Sequence, residues 1–317
     1  MKTFLKSFII AFVFFTLLIG AGVYAFMEIY NPKNPEPGDS DGIAVLPSPA
    51  PVDGKEKTEL QKLIEKSKRV NVLLLGMEGP RTDTIILASF DPDSKSVDLI
   101  SIPRDTFYHI EGYNEPDQKK INAAYGRSGV KGVMKIVSHI LGDIPIHDYV
   151  KVSYEGVENI VDSLGGVKVN IPFDMNYDDP YDDPPLHIHL KKGVHELSGK
   201  EAIQFLRFRK NNDGTGYPDG DIGRIRAQQQ FLMGAADKIL SYRLPVIAHT
   251  MFKFVKTSMS LEDIIYYAKN AIGVTKNDIE TYRLPGRAKY NGLSYYIHDP
   301  DATEKMIIEI YKRGLQE

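Results

Sequence analysis

The chain is 317 residues long, 42% hydrophobic, and carries a formal charge of −3. That length supports one large domain or two small ones, and the slightly acidic balance argues against a nucleic-acid partner, which needs a net basic surface. With no cysteine in the chain, disulfides, thiolate metal sites and cysteine nucleophiles are excluded, although an extracytoplasmic location is not.

In chain order, Lys2 and Lys6 precede an uncharged run from Ser7 to Met27. About 20 apolar residues cross a hydrocarbon core, whereas signal-peptide h-regions run to about 7–15. Val23-Tyr24-Ala25 is a poor cleavage site, so length favours an uncleaved transmembrane helix over a cleaved signal peptide. The lysines before the span and Glu28 after it place residues 1–6 in the cytoplasm. The expectation is a single-pass protein of the cell membrane with its C-terminal domain extracellular. Residues 28–54 hold six prolines without helical or strand period, and read as an extended linker.

The folded region, residues 55–317, opens with a charged amphipathic helix from Lys55 to Arg69. Strands follow at Val70–Gly76, Thr84–Asp91 and Val97–Pro103, the last two as a hairpin. Ile121–Gly142 reads as a helix with a Gly-rich start. A strand at "DYVKVSY", a helix at "YEGVENIVDSLGG" and a strand at "VKVNIP" come next. Ser198 and Glu201 form a capping box that opens another helix, and "GRIRAQQQFLMGAADKIL" is a long one. "SLEDIIYYAKNAIG", "IETYRLPG" and "PDATEKMIIEIYKR" add a helix, a strand and a final helix. Interleaved strands and helices with at least one hairpin predict an α/β fold, a mixed central β-sheet packed between α-helices.

Three stretches carry chemistry. "QFLRFRKNNDGTGYPDGDIGRIRAQQQ", Gln204 to Gln230, crowds Arg207, Arg209, Lys210, Arg224 and Arg226 around a loop with three glycines. Arg224 and Gln228, four apart, share a helix face while Arg226 points elsewhere. Arg207 and Arg209 converge only if the chain has left the helix by then. The helix N-terminus near Asp219 or Asp221 adds exposed N–H groups, and guanidinium matches phosphate oxygens bidentately. The set predicts an anion site; for any single arginine, a solvated surface is the simpler account. "GMEGPRTD" offers Glu78 and Asp83 as hard oxygen donors past the end of the first strand, suited to Mg²⁺ held with substrate phosphates. The plain alternative has Asp83 capping a turn and paired with Arg81. "SIPRDT" brings Arg104 out at the sheet edge, either joining a ring of positive charge or pairing with Asp105.

"RTDTIIL", "SIPRDT", "KINAAYGRSG", "LSGKEAIQFLRFRKNNDGTGYPDGDIGRIRAQQQ" and the N-terminal span together resemble the LytR-CpsA-Psr family, bacterial envelope enzymes. The likeness covers about Val70 to Leu240. It implies a phosphotransferase that moves a glycopolymer with one phosphate from a polyprenyl-diphosphate carrier to a peptidoglycan hydroxyl. Teichoic acid, capsule and similar wall polymers are the implied donors. The diphosphate-gripping arginines correspond to Arg81, Arg104, Arg207 and Arg209, with Arg224 and Gln228 close by. The implied metal is Mg²⁺, with Mn²⁺ as a substitute, on Asp83. Asp221 is the implied base or organiser, and Arg104 and Arg224 are placed with it in catalysis. Where the family carries an aspartate in the first loop, this chain has Glu78 in a shortened one, so the metal assignment rests more on Asp83 than on Glu78.

The same site could instead pass the phosphoryl group to water, as a diphosphatase, or bind lipid or wall polymer without turnover. "GVMKIVSHIL" and "QQFLMGAADKIL" are candidate walls for a polyprenyl tail, though apolar helix stripes are usually ordinary core. His187, His189 and His195 in "HIHLKKGVH" could hold Zn²⁺, as His-x-His on a strand can, but with no clear further ligand in sequence they read as a surface hairpin. The acidic, Pro-rich Asp174–Pro185 could bind Ca²⁺ weakly or border the acceptor groove, but reads more simply as a solvated loop.

Overall fold

A computed structural model describes residues 57–315 apart from 79–80, 111, 183–184 and 240–252. The expected span at 7–27 and linker at 28–54 lie outside the described residues. Among the described residues, no helix is long and apolar enough to cross a membrane. The elements that follow all belong to one unit, Leu46–Glu317.

Helix α1 (Glu59–Lys66) begins at Thr58, whose side chain closes a capping box with Gln61, and seats Leu60 in the core. Strands β1 (Val70–Glu78), β2 (Arg81–Phe90) and β3 (Val97–Ser101) pair antiparallel in succession. β1 also pairs parallel with β4 (Asp148–Ser153), which carries β9 (Val255–Thr257) antiparallel at its far edge. β10 (Ile279–Arg283) runs parallel to β3. The result is a mixed six-stranded sheet of order β10-β3-β2-β1-β4-β9. The stretch from Gly76 to Asp83, expected as a loop, instead continues both strands, with Glu78 opposite Arg81.

Period-two alternation sends Leu73, Leu75, Ile85 and Leu87 to one sheet face. There they pack on Val133, Ile136 and Val137 of α2 (Ala124–Ile140) and Ile307, Ile310 and Tyr311 of α7 (Pro300–Arg313). The helix expected from Ile121 starts as a 3₁₀ turn at Ile121–Ala123 and kinks at Ser128-Gly129, because Gly129 takes φ 57°, a value open to glycine.

A second core lies among α3 (Tyr154–Ser163), β5 (Val167–Ile171), β6 (Met175–Asp179), β7 (Leu186–Leu190), β8 (Gly193–Leu197), α4 (Gly199–Arg207) and α5 (Asp221–Ile239). β5 pairs with β8 and β6 with β7, both antiparallel. Two sequence expectations change here. The acidic Asp174–Pro185 is not all loop: Met175 and Tyr177 turn into the core and make its first half a strand. "HIHLKKGVH" is not one hairpin, because β7 and β8 take different partners. α4 starts on the expected capping box of Ser198 with Glu201. α5 lies so close to β5 that a Cβ on Gly234 would sit 2.4 Å from the Lys168 carbonyl oxygen. Gln229 ties α5 to the sheet, donating to Ser101 Oγ (3.1 Å) and the Tyr282 carbonyl (2.8 Å). The expected lipid walls supply Val133, Ile136 and Phe231 to the two cores, as the plain reading held. α6 (Leu261–Asn270) and a hairpin of β11 (Gly286–Asn291) with β12 (Leu293–His298) complete the C-terminal third.

Candidate active site

The site is organised by an irregularity in β2. Gly76 pairs with Thr84 and Met77 with Thr82, so Asp83 is an extra residue in the ladder. Strict alternation would have put its carboxylate on the face of Ile85 and Leu87, in the first core. A β-bulge bends the strand and re-aims the side chain it carries. Asp83 instead meets three guanidinium groups. Arg104 donates to its Oδ1 through Nη1, Arg209 Nη2 donates to the same oxygen at 3.4 Å, and Arg224 Nη1 lies 3.7 Å from Oδ2. Asp83 and Arg224 are buried, Arg104 mostly so, and Arg209 is half exposed.

Each arginine arrives by a different route. Arg104 follows Pro103 just past β3, where Ile102 still bonds back to Ile85. Arg209 lies two residues beyond the end of α4, after Phe208 has turned to extended backbone (φ −60°, ψ 132°). Arg224 comes from the first turn of α5, and Gln228 is buried one turn further on the same face. Thus segments more than a hundred residues apart meet on one carboxylate, and neither Arg81 nor Asp105 joins them. Arg81 pairs with Asp117 at 3.1 Å on the surface, and Asp105 with Lys120 at 3.0 Å. Arg226, as expected, points away and pairs with Asp219. The side chains of Glu78 and Asp221 lie outside the described residues; Asp221 opens α5.

Two cavities of about 340 Å³ meet at Arg209 and Lys210. One is lined by Asp83, Tyr154, Asp179, Asp182 and Arg207. In it Arg207 stacks over the Tyr154 ring at 4.9 Å and donates to Asp182 Oδ2 at 2.6 Å. The other is lined by Arg224, Tyr217, Gly214, Gly216 and Gly220, with no carboxylate in its described lining. Glycines there leave backbone exposed to an incoming group. The Tyr217 hydroxyl is buried and makes no hydrogen bond among the described residues, and burial pushes its phenol well above the usual range. It stays a protonated donor in a cationic cavity.

Tyr217, Tyr154 and Asp182 were not singled out from the sequence. Tyr217 sits inside the quoted motif and could have been flagged as the one aromatic of its Gly-rich loop; Tyr154 and Asp182 carry no such signal. Asp83 belongs to no group of three close His, Asp or Glu ligands among the described residues.

Fold and site together define an α/β domain that gathers guanidinium groups from distant segments around one bulged carboxylate. Residues 47–311 match the LytR_cpsA_psr family, and the chain belongs to it. It is 31% identical over 264 residues, 80% of this chain, to the polyisoprenyl-teichoic acid–peptidoglycan teichoic acid transferase TagV of Bacillus subtilis (strain 168), of whose length it spans 65%. To the corresponding transferase TagU of Bacillus cereus (strain AH820) it is 30% identical, over 91% of this chain and 90% of that one. Among solved structures, B. subtilis TagV superposes with a TM-score of 0.65 at 28% identity, covering 78% of this chain and 98% of that one. TagT bound to LI-WTA gives 0.60 at 26% identity, covering 83% and 94%.

Proposed function

We propose that the protein transfers a glycopolymer phosphate, of the teichoic acid, capsule or similar wall-polymer class, from a polyprenyl-diphosphate carrier to a peptidoglycan hydroxyl. The observation that carries this reading is the meeting of Arg104, Arg209 and Arg224 on Asp83 beside a cavity of cationic lining. Guanidinium groups gathered on one side of a cavity are the donors that match the oxygens of a diphosphate bidentately. The relatives' names point to the same donor and acceptor.

Phosphoryl transfer depends on neutralising and aligning charge more than on a strong nucleophile. Arg209, the most exposed of the three, is the group best able to turn from Asp83 to a phosphate. Arg207, held by Asp182, exchanges that carboxylate for phosphate oxygen. The acceptor oxygen attacks the phosphorus that bears the sugar, and the bond from that phosphorus to the bridging oxygen breaks. Polyprenyl phosphate leaves with the bridging oxygen, and the hydroxyl proton passes to a carboxylate, a role assigned to Asp221. Arg81, at the rim with Asp117, and Gln228, behind Arg224, take supporting places in phosphate binding.

A buried carboxylate among arginines suited to phosphate fits a Mg²⁺ or Mn²⁺ ion that arrives with the substrate, since Mg²⁺ binds through one or two carboxylates plus phosphates. Asp83, and Glu78 if its side chain reaches, would hold it. Bound there, the metal would offset charge on the transferred group. The uncharged run from Ser7 to Met27 is assigned as a membrane anchor that keeps the extracellular domain beside its lipid-linked donor and raises the donor's effective concentration.

The full chain, given a synthetic polyprenyl-diphosphate donor, should release polyprenyl phosphate only when peptidoglycan is added. Equal release without acceptor would make it a diphosphatase, and donor binding without release in Mg²⁺ or Mn²⁺ would make it a binding protein.

A further inference from the structure

The outer face of the β6–β7 hairpin carries a second constellation, separate from the arginine site. Asp178 lies directly across the ladder from His187, and His189 is two residues further along β7 on the same face. His187 Nδ1 is 2.5 Å from Asp178 Oδ1, and His189 Nε2 is 3.3 Å from that same oxygen. One ligand atom from each of the three residues lies within 4.8 Å of the others, and it is the single such group of three among the described residues. All three side chains are open to solvent, between 47% and 59% exposed.

We propose that Asp178, His187 and His189 form a binding site for a borderline divalent cation of the Zn²⁺ class. Two imidazoles and one carboxylate are the donors such ions prefer, whereas Mg²⁺ takes oxygen. Zn²⁺ bonds of about 2.0–2.2 Å set tetrahedral ligand atoms roughly 3.4 Å apart, so small rotations of exposed side chains complete the geometry and leave a fourth position for water. The backbone beneath is already fixed. Ile188, between the two histidines, is fully buried in the second core. The free edge of β6 is held by the loop that follows Lys210: the Asn176 and Asp178 amides donate to Asn211 Oδ1 and Asn212 Oδ1, each at 2.7 Å. On the other edge, the His189 amide donates to Gln204 Oε1 at 3.0 Å. His195 takes no part, because it lies on β8, which pairs with β5.

The site has a consequence for the cavity behind it. Tyr177, Asp179 and Leu186, on the same two strands, line the cavity of Arg207. A cation joining β6 to β7 across their outer face locks the register of that wall.

The test is calorimetric titration of the untagged, chelator-stripped full chain with ZnCl₂ in millimolar Mg²⁺. One equivalent should bind and raise the unfolding temperature. His187→Ala and His189→Ala should each weaken binding by about 10-fold or more, while His195→Ala leaves it unchanged. Co²⁺ should give visible absorption bands in the wild type that Asp178→Asn alters. Failure of the wild type to take up one equivalent at micromolar Zn²⁺, or equal uptake by the His187→Ala/His189→Ala double variant with an intact circular dichroism spectrum, overturns the proposal.

Discussion

Replacing Arg104 with alanine should lower glycopolymer transfer by about 10²–10³-fold, the loss typical when one preorganised donor to a developing charge is removed. Arg104 bonds Asp83 directly and is mostly shielded from water, so its charge acts in a medium where electrostatic interactions are strong. Arg104→Lys should recover only part of the rate, because an ammonium keeps the charge but not the planar fork that binds two oxygens at once. Arg226→Ala serves as the control. That guanidinium pairs with Asp219 on the opposite side of α5, and its removal should leave transfer within about twofold, as an exposed pair contributes little. Transfer by Arg104→Ala at the wild-type rate would take Arg104 out of the chemistry.

The second large effect concerns stability. Asp98 on β3 is fully buried and accepts from Arg69 Nη1 at 2.7 Å, and Arg313 at the end of α7 pairs with its other oxygen. Arg69 is also fully buried, with Ser89 Oγ at 3.3 Å, Ser96 Oγ at 3.0 Å and Asp91 at 3.7 Å. Asp98→Ala removes the strongest partner and leaves a buried guanidinium short of negative charge, which costs about 3–5 kcal/mol. For a domain of this size that lowers the unfolding temperature by roughly 10 °C. Glu280→Ala removes an exposed partner of Arg313 and should change stability by less than about 1 kcal/mol. Comparing the two melting curves checks the account; equal, small shifts would contradict it.

The Arg-x-Arg at the end of a capped helix and the Arg224–Gln228 face were legible because local rules fix them: a capping box starts α4, the chain extends at Phe208, and residues four apart share a face. The central strands were legible as apolar runs. The bulge at Asp83 was not, since it shows only in the pairing of β1 with β2. Arg81 looked equivalent to Arg104 in sequence, but Asp117, 36 positions later, draws it to the surface. Arg69 read as the end of a charged helix, yet its partners come from β2, β3 and the turn between them. The acidic run hid β6 because its polar residues alternate with Met175 and Tyr177, and Asp178 became a third ligand only once β6 lay beside β7.

The central claim is that the guanidinium cluster is a diphosphate site, and binding tests it most directly. The full chain should be titrated calorimetrically with a short-chain polyprenyl diphosphate and with the matching monophosphate, in Mg²⁺. The diphosphate should bind at least about 10-fold more tightly, and Arg209→Ala should weaken it by about 10–100-fold, the loss of one or more charge-assisted hydrogen bonds. Equal affinity for the two lipids, or diphosphate binding untouched by Arg209→Ala, would contradict the claim.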